Sequence, residues 1–417
     1  MSDCTDVDAA PRPVTGPRIA RLARQLEAAG TAEARDALTE AFWAEAARTG
    51  TPLVEELDDA PGHRAVTFLW RGHRATRRVL LMAPGITDPE RLAGSLLHHL
   101  PGTDVWYLGH RLRADHRGSY RMVADISAGP APADPALLQR RLLALRAHGG
   151  ADPLNPARIP VRWRDAQDSV FALPEAPPQP WAARRPAVAR GGVERHAVAV
   201  LDALIADGVL PPLAVLAAVP YRPAYEPGGA GPAAPAGALR RGHVVRPARP
   251  PGHVVAGQGL GGMTALYAGL TRPERFGAVV AQSPSLWWRP GLEPGAVAPD
   301  AVGTPWLATL AAGLRDGPPG GARGAAVHFD VGLHEGALAE HTEALQAVLR
   351  ARGHRVTRNL HNGGHDYACW RGFLADALVE LVGTGLDVNA AESQGGTGPA
   401  GRSAVCSAGL PGRPAAR

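Results

Sequence analysis

Residues 252–283 read GHVVAGQGLGGMTALYAGLTRPERFGAVVAQS, and the texture of this stretch changes three times. An apolar run at 252–257 closes on the turn Gln258-Gly259-Leu260-Gly261-Gly262; a helical stretch over 263–276 follows, then a second β-type run at 278–283. Strand, sharp turn, helix and strand in that order predict one unit of a parallel sheet. The alternation continues with AAVHFDVG at 325–332, a helix over 337–353, RVTRNLH at 355–361 and a last helix over 367–382. An α/β fold with a mostly parallel sheet and helices on both faces follows. Upstream, HAVAVLDALIADG at 196–208 reads as a helix and LAVLAAV at 213–219 as a buried strand. Between that strand and 252, residues 222–250 are dominated by Gly, Pro and Ala, with a period of neither 2 nor 3.6, so no regular element is expected there.

Further outward, 64–123 carries short β-type runs, RAVTFLWRG, RRVLLMA, GTDVWYLGHRL and GSYRMVAD, separated by Gly, Pro and Asp turns, which predict a small β-sandwich. Ile19, Leu22, Leu26, Leu38, Phe42 and Ala46 recur at helical spacing ahead of it, broken at Gly30 and stopped by Gly50 and Pro52, so one or two amphipathic helices lead the domain. The expected organisation is a helical and sandwich domain over 17–125, a Pro/Ala-rich linker over 126–190 holding one helix and the motif DPLNP, an α/β domain over 191–385, and a disordered tail from 386 to 417.

Composition narrows the function classes. At 417 residues two domains are the default, and 50 Gly with 40 Pro imply long loops. The net charge of +5 is carried mainly by scattered Arg, without a basic block, so nucleic acid is not implied; an anionic small ligand fits better. Cys4, Cys369 and Cys406 lie too far apart in sequence for a disulfide framework or a metal-ligand spacing, and the acidic N-terminus lacks a basic start and an apolar run. With no stretch of membrane-spanning length, the expectation is a cytoplasmic protein with neither a metal site nor a membrane partner. The oligomeric state is not legible.

The turn carries the chemistry. Hydrolases of the α/β type place their nucleophile on a strained strand-to-helix turn, G-x-S-x-G, where the glycines let the backbone bend and expose the side chain. Here Gly257-Gln258-Gly259-Leu260-Gly261 keeps the frame, but Gly259 stands at the nucleophile position. Alone, such a turn also fits a plain strand-to-helix connection or a phosphate-binding loop. The later slots are filled as a hydrolase requires: Glu335 follows one strand as the candidate acid, ahead of Asp330 inside that strand, and His365 follows the last strand as the candidate base.

The stretches VVAGQGLGGMTALYAGLTRPERFGAVVAQSPSLWW and GGHDYACWRGFLADAL resemble the nucleophile and histidine segments of enterochelin esterases. VTFLWRG, LPGTDVWYLGHRLRADHRGSYRMV and DPLNP are similar to that family's own N-terminal sandwich, so the resemblance spans about 40–219 and 252–385. It implies cleavage of ester bonds in a catecholate siderophore, a trilactone of dihydroxybenzoyl-serine, with iron as cargo of the substrate and no cofactor. Carried over by position, Gly259 is the nucleophile site, the Leu260 N–H an oxyanion donor, His365 the base and Glu335 the acid. Trp287 and Trp288 are candidate stacking surfaces for catechol rings, or caps of the sheet. Arg111, Arg113 and Arg117 are candidate partners of an anionic ferric complex, or the solvated face of a hairpin.

Three departures stand against full activity. Gly259 has no nucleophilic side chain, two family strands with a second oxyanion donor are missing between PAVARGGVE and HAVAVLDALIADG, and 222–250 replaces an ordered family segment. The alternatives are a siderophore-binding pseudoenzyme and a degraded gene product. Ser283 and Ser285 lie one strand over from the turn, where geometry argues against rescue. A dinucleotide-binding reading needs an acidic residue where the next strand ends in Gln282-Ser283, and comes last.

Overall fold

The computed structural model describes residues 10–127, 132–160, 166–183, 201, 204–210, 253–291, 303–314 and 324–383. Helix α1 (Pro17–Ala28) starts on a proline and buries Ile19, Leu22 and Leu26. The break at Gly30 separates it from α2 (Ala32–Thr49), where the Thr31 hydroxyl accepts from the Ala34 N–H at 3.2 Å, and Gly50, at φ 81°, ends the helix. Both helices lay Leu26, Phe42, Trp43 and Ala46 against Leu53, Leu69 and Val105 of the first sheet.

That sheet joins β1 (Arg12–Pro13), β2 (Leu53–Glu56), β3 (His63–Arg71), β5 (His98–His99) and β6 (Val105–Arg113) in the order β1-β6-β3-β2, with β5 also on β6. A second antiparallel sheet joins β4 (Arg78–Met82), β7 (Arg117–Asp125), β8 (Arg158–Pro160) and β9 (Gln167–Ala172) in the order β4-β7-β9-β8. Alternate residues face inward, as a two-residue period dictates: Val66, Phe68 and Leu108 from one sheet meet Val79, Leu81, Tyr120, Met122 and Phe171 from the other.

The stretch expected as a linker is therefore corrected: 126–190 supplies β8, β9, helix α3 (Pro135–Arg146) and the helical turn α4 (Pro180–Ala183). DPLNP is a buried brace within it. The Asp152 carboxylate accepts from Thr51 Oγ1 at 2.6 Å and Tyr120 OH at 2.7 Å, while Asn155 Nδ2 donates to Tyr120 OH at 3.1 Å and to the Val170 carbonyl at 3.0 Å. Buried polar groups that satisfy one another in this way tie the segment to both sheets.

The C-terminal unit runs β10 (His253–Gln258), α5 (Leu260–Thr271), β11 (Phe276–Gln282), α6 (Trp306–Gly313), β12 (Ala326–Gly332), α7 (Leu338–Ala351), β13 (Arg355–His361) and α8 (Tyr367–Leu378). All neighbours in β10-β11-β12-β13 are parallel. Val279, Ala281, Val327 and Phe329 pack under α5, α6 and α7, whereas Val280 points the other way, onto Ala375 and Leu378 of α8 together with Leu201 and Leu204. Helices thus cover both faces. The strand predicted over 213–219, the segment 222–250 expected to lack regular elements, the junction at 194–196 expected to lack two family strands, most of the 196–208 helix and the tail 386–417 lie outside the described residues.

Candidate active site

At the end of β10 the chain turns onto α5 through Gly259, with φ 57° and ψ −123°, a conformation that side-chain-bearing residues hold only under strain. The turn is tied down on three sides. Gly259 N–H donates to the Gln282 carbonyl at 3.0 Å, and the Gly259 carbonyl accepts from Ser285 N–H at 3.0 Å and from Met263 N–H at 3.1 Å. A Cβ on Gly257 would lie 2.1 Å from the Gly261 carbonyl oxygen, and one on Gly262 would lie 3.0 Å from the Gly257 carbonyl oxygen, so strand and helix meet backbone to backbone. Among the described residues nothing lies within 4 Å of a Cβ on Gly261, so the tight approach belongs to Gly257 and Gly262 rather than to the motif's last glycine. Leu260 opens α5, and no side chain caps that end, which leaves the helix's first N–H groups facing the turn.

Glu335 and His365 converge on this point. His365 Nδ1 donates to Glu335 Oε2 at 2.8 Å, and its Nε2 lies 3.2 Å from where a Cβ on Gly259 would stand. Oε1 of Glu335 accepts from Gly332 N–H at 2.7 Å and from Ser283 Oγ at 2.6 Å, so the acid is held at both oxygens. Ser283, at φ 44°, takes Trp370 Nε1–H on the same oxygen at 2.8 Å, and the Trp370 ring stands edge-on to His365 at 4.6 Å. Asp330 is fully buried and accepts from Gln282 Nε2 at 2.9 Å and Asn359 Nδ2 at 3.0 Å, bracing three strands without meeting His365. The Glu335 side chain is 3% exposed and that of His365 51%, which places a fixed acid behind an accessible imidazole.

The histidine loop is clamped by the sandwich. Asp366 caps α8 by accepting from Ala368 N–H at 2.8 Å; its other contacts are Ser119 Oγ at 2.9 Å and the Ser119 N–H, both on β7. Asn362 Nδ2 donates to Asp115 Oδ1 at 2.5 Å, which makes its Oδ1 the acceptor for His116 Nδ1–H at 3.0 Å and His334 Nε2–H at 2.6 Å. Gly85, after β4, meets Gly364 so closely that a Cβ on either would fall within 3 Å of the other's backbone.

Burial holds His116 down to about 3, helped by the neighbouring His334, and lowers His334 and His361 as well. Unfolded, each imidazole takes its proton near 6.5. Below that pH the unfolded chain binds more protons than the folded one, so acid costs about 1.4 kcal/mol per pH unit through His116, and His334 and His361 act in the same direction. The urea midpoint is expected to fall from pH 7 to pH 5, and His116→Gln to flatten that slope; a midpoint rising on acidification contradicts the assignment.

The structure brings Gly259, Leu260, Glu335 and His365 together; it also corrects the expectation for Ser283 and Ser285, whose hydroxyls lie beside Glu335 and the Gly259 turn, and it does not add the arginine and tryptophan candidates. Arg117 is 9% exposed at the domain junction: its N–H donates to the Asn362 carbonyl at 3.2 Å, its carbonyl accepts from Cys369 Sγ at 3.4 Å, and burial lowers its guanidinium pKa. This is an interior position, not the face of a hairpin. Arg113 pairs with Asp115 at 2.8 Å, and Arg111 lies in β6 across from Arg12 and Ala65. Trp288 packs on the core and on Trp306 at 5.8 Å, and Trp287 beside it is partly buried as well. Ser283 and Trp370 were missed as supports of the acid, because a positive φ at a serine leaves no mark in the sequence. Among the described residues no group of three His, Cys, Asp or Glu can hold a metal ion, and no helix is long and apolar enough to cross a membrane.

A parallel sheet with its sharpest turn at the end of a strand, and a carboxylate-imidazole pair from the next strands aimed at that turn, define an α/β-hydrolase fold of the esterase class. The family model for the enterochelin esterase N-terminal domain matches residues 65–182, and that for putative esterases matches 244–381. The chain is 30% identical to the iron(III) salmochelin esterase of Escherichia coli O6:H1 over 88% of its own length and 98% of that protein's, and 31% identical to the iron(III) enterobactin esterase of Dickeya dadantii over 84% and 94%. Ferric enterobactin esterase from Salmonella typhimurium shares the fold with TM-score 0.59 at 23% identity, covering 84% of this chain and all of that one; the Shigella flexneri enterobactin esterase crystallised in the presence of enterobactin gives 0.56 at 23%, over 82% and 97%. The chain belongs to the enterochelin esterase family.

Proposed function

We propose that this chain acts on a ferric catecholate siderophore built as a cyclic triester of dihydroxybenzoyl-serine, at the cytoplasmic step where esters are opened and iron is released. The observation that carries the reading is the Glu335–His365 pair, intact and aimed at the turn where this family places its nucleophile. Two relatives matched over more than nine-tenths of their length are named as iron(III) siderophore esterases, which supports the substrate class. In the proposed roles His365 is the base, Glu335 orients it, and the Leu260 N–H faces the developing oxyanion. Iron enters as part of the substrate, and the reaction as read needs no cofactor. The partly buried Trp287 remains the candidate ring surface for a catechol.

With Gly259 at the nucleophile position, the route through a covalent acyl-serine is closed, and ester hydrolysis is strongly impaired. The same glycine favours a second reading, a binder that keeps the cleft without turnover. Thermal unfolding of the protein with a non-hydrolysable ferric catecholate tests the shared part of both. Ligand at ~100 times its dissociation constant adds about 2.7 kcal/mol and raises Tm by several degrees. No shift, or an equal one with a ferric hydroxamate, removes the catecholate assignment.

A further inference from the structure

The point that a Cβ on Gly259 would occupy lies 3.2 Å from His365 Nε2 and 3.8 Å from Ser285 Oγ, and among the described residues no other atom beyond the adjoining chain and the His365 ring comes nearer. The Ser285 backbone is held beside it, because its N–H is bonded to the Gly259 carbonyl at 3.0 Å. Glycine presents only hydrogen on this side, so a water molecule at van der Waals distance from the Gly259 Cα, outward of that point, can approach both the imidazole and the hydroxyl. His365, whose side chain is half-exposed, leaves that water in exchange with solvent. Glu335, in turn, fixes the Nδ1–H tautomer and so leaves the Nε2 lone pair directed at the water.

We infer that the chain cleaves its ester by single displacement, with a water held by His365 and Ser285 as the nucleophile in place of a serine. The inference rests on the proposed site and deepens it. As the water oxygen bonds to the acyl carbon, its proton passes to His365 Nε2, and the carbonyl oxygen becomes an oxyanion against the start of α5. Collapse of that adduct breaks the bond to the alkoxy oxygen, which takes the proton back from His365. A carboxylic acid and an alcohol leave, the imidazole is neutral again, and nothing is oxidised or reduced. Positioned general-base catalysis of this kind contributes about 10²–10⁴-fold.

Substitution at one atom separates the routes. Alanine at 259 puts a methyl group against the place the water needs and so excludes it, whereas serine puts a nucleophile there, and both carry the same Cβ on the same strained backbone. The expected result with a ferric catecholate trilactone is slow turnover by the parent, at least a tenfold loss of kcat in Gly259→Ala with KM little changed, and a gain in Gly259→Ser. Mass spectrometry of quenched reactions should show an acyl adduct on Gly259→Ser only. Ser285→Ala should cost the parent several-fold more than it costs the Gly259→Ser protein, which a purely structural role for Ser285 does not predict. Retention of the parent rate in Gly259→Ala overturns the inference, as does a parent that never exceeds buffer while Gly259→Ser turns over; the second result keeps the substrate class and leaves the reading as a binder without turnover. If the trilactone is untouched by all three proteins while p-nitrophenyl acetate is hydrolysed by the parent and not by Gly259→Ala, the water route holds and the substrate class falls.

Discussion

Gly259→Ser is expected to raise kcat/KM on a ferric catecholate trilactone by at least ~10³-fold over the parent, because removal of a triad serine elsewhere costs more than that. The turn already has the shape the substitution needs, at φ 57° and ψ −123°, and the new Cβ arrives 3.2 Å from His365 Nε2. That approach is tighter than most, so the imidazole must give way by a few tenths of an ångström; being half-exposed, it can tilt about its bond to Glu335. The cost is backbone strain of about 1–3 kcal/mol, visible as a lower unfolding midpoint. Adding His365→Ala should erase the gain. A Gly259→Ser protein no faster than the parent would mean that the oxyanion is left without enough donors, since a correctly placed hydroxyl gains little if the charge it creates is not stabilised.

Asp366→Ala is expected to lower the stability of the whole chain by ~3 kcal/mol or more, through loss of a helix cap and of the acceptor for two donors on the partner domain. Ser119 N–H, Ser119 Oγ–H and Ala368 N–H all end on this carboxylate in a fully buried setting, and none has water to turn to. Limited proteolysis should then cut near the domain junction, and in the Gly259→Ser background the esterase rate should fall with the cap. Full resistance with an unchanged midpoint would show that the clamp rests on Asn362 and the histidines instead.

The sequence disclosed elements wherever one face is apolar and the other polar. Ile19, Leu22 and Leu26 marked α1, the two-residue alternation through Val66 and Phe68 marked β3, and the run Val279–Ala281 marked a strand buried on both sides. Elements without such contrast were missed: α6 (Trp306–Gly313) is apolar almost all round, β8 is three residues ending in proline, and β9 hid among Pro-rich neighbours. In the candidate site, Gly259, Glu335 and His365 were legible because chain order places them just after the ends of β10, β12 and β13. Arg117 was misplaced for the opposite reason: a strand's first residue can face solvent or another domain, and sequence does not say which. The DPLNP brace was seen as a motif but not as structure, since its partners Thr51 and Tyr120 lie far away along the chain.

The near-contact of Gly85 with Gly364 bears on how this molecule can be recombined with its relatives. The imidazole's loop is shaped by a turn of the other domain, so exchanging domains between homologues at the connector would pair surfaces that never met. A chimaera that transplants 362–366 together with 84–88 and 115–119 keeps the mated surfaces from one parent. The natural unit of inheritance for this centre therefore cuts across the domain boundary instead of following it.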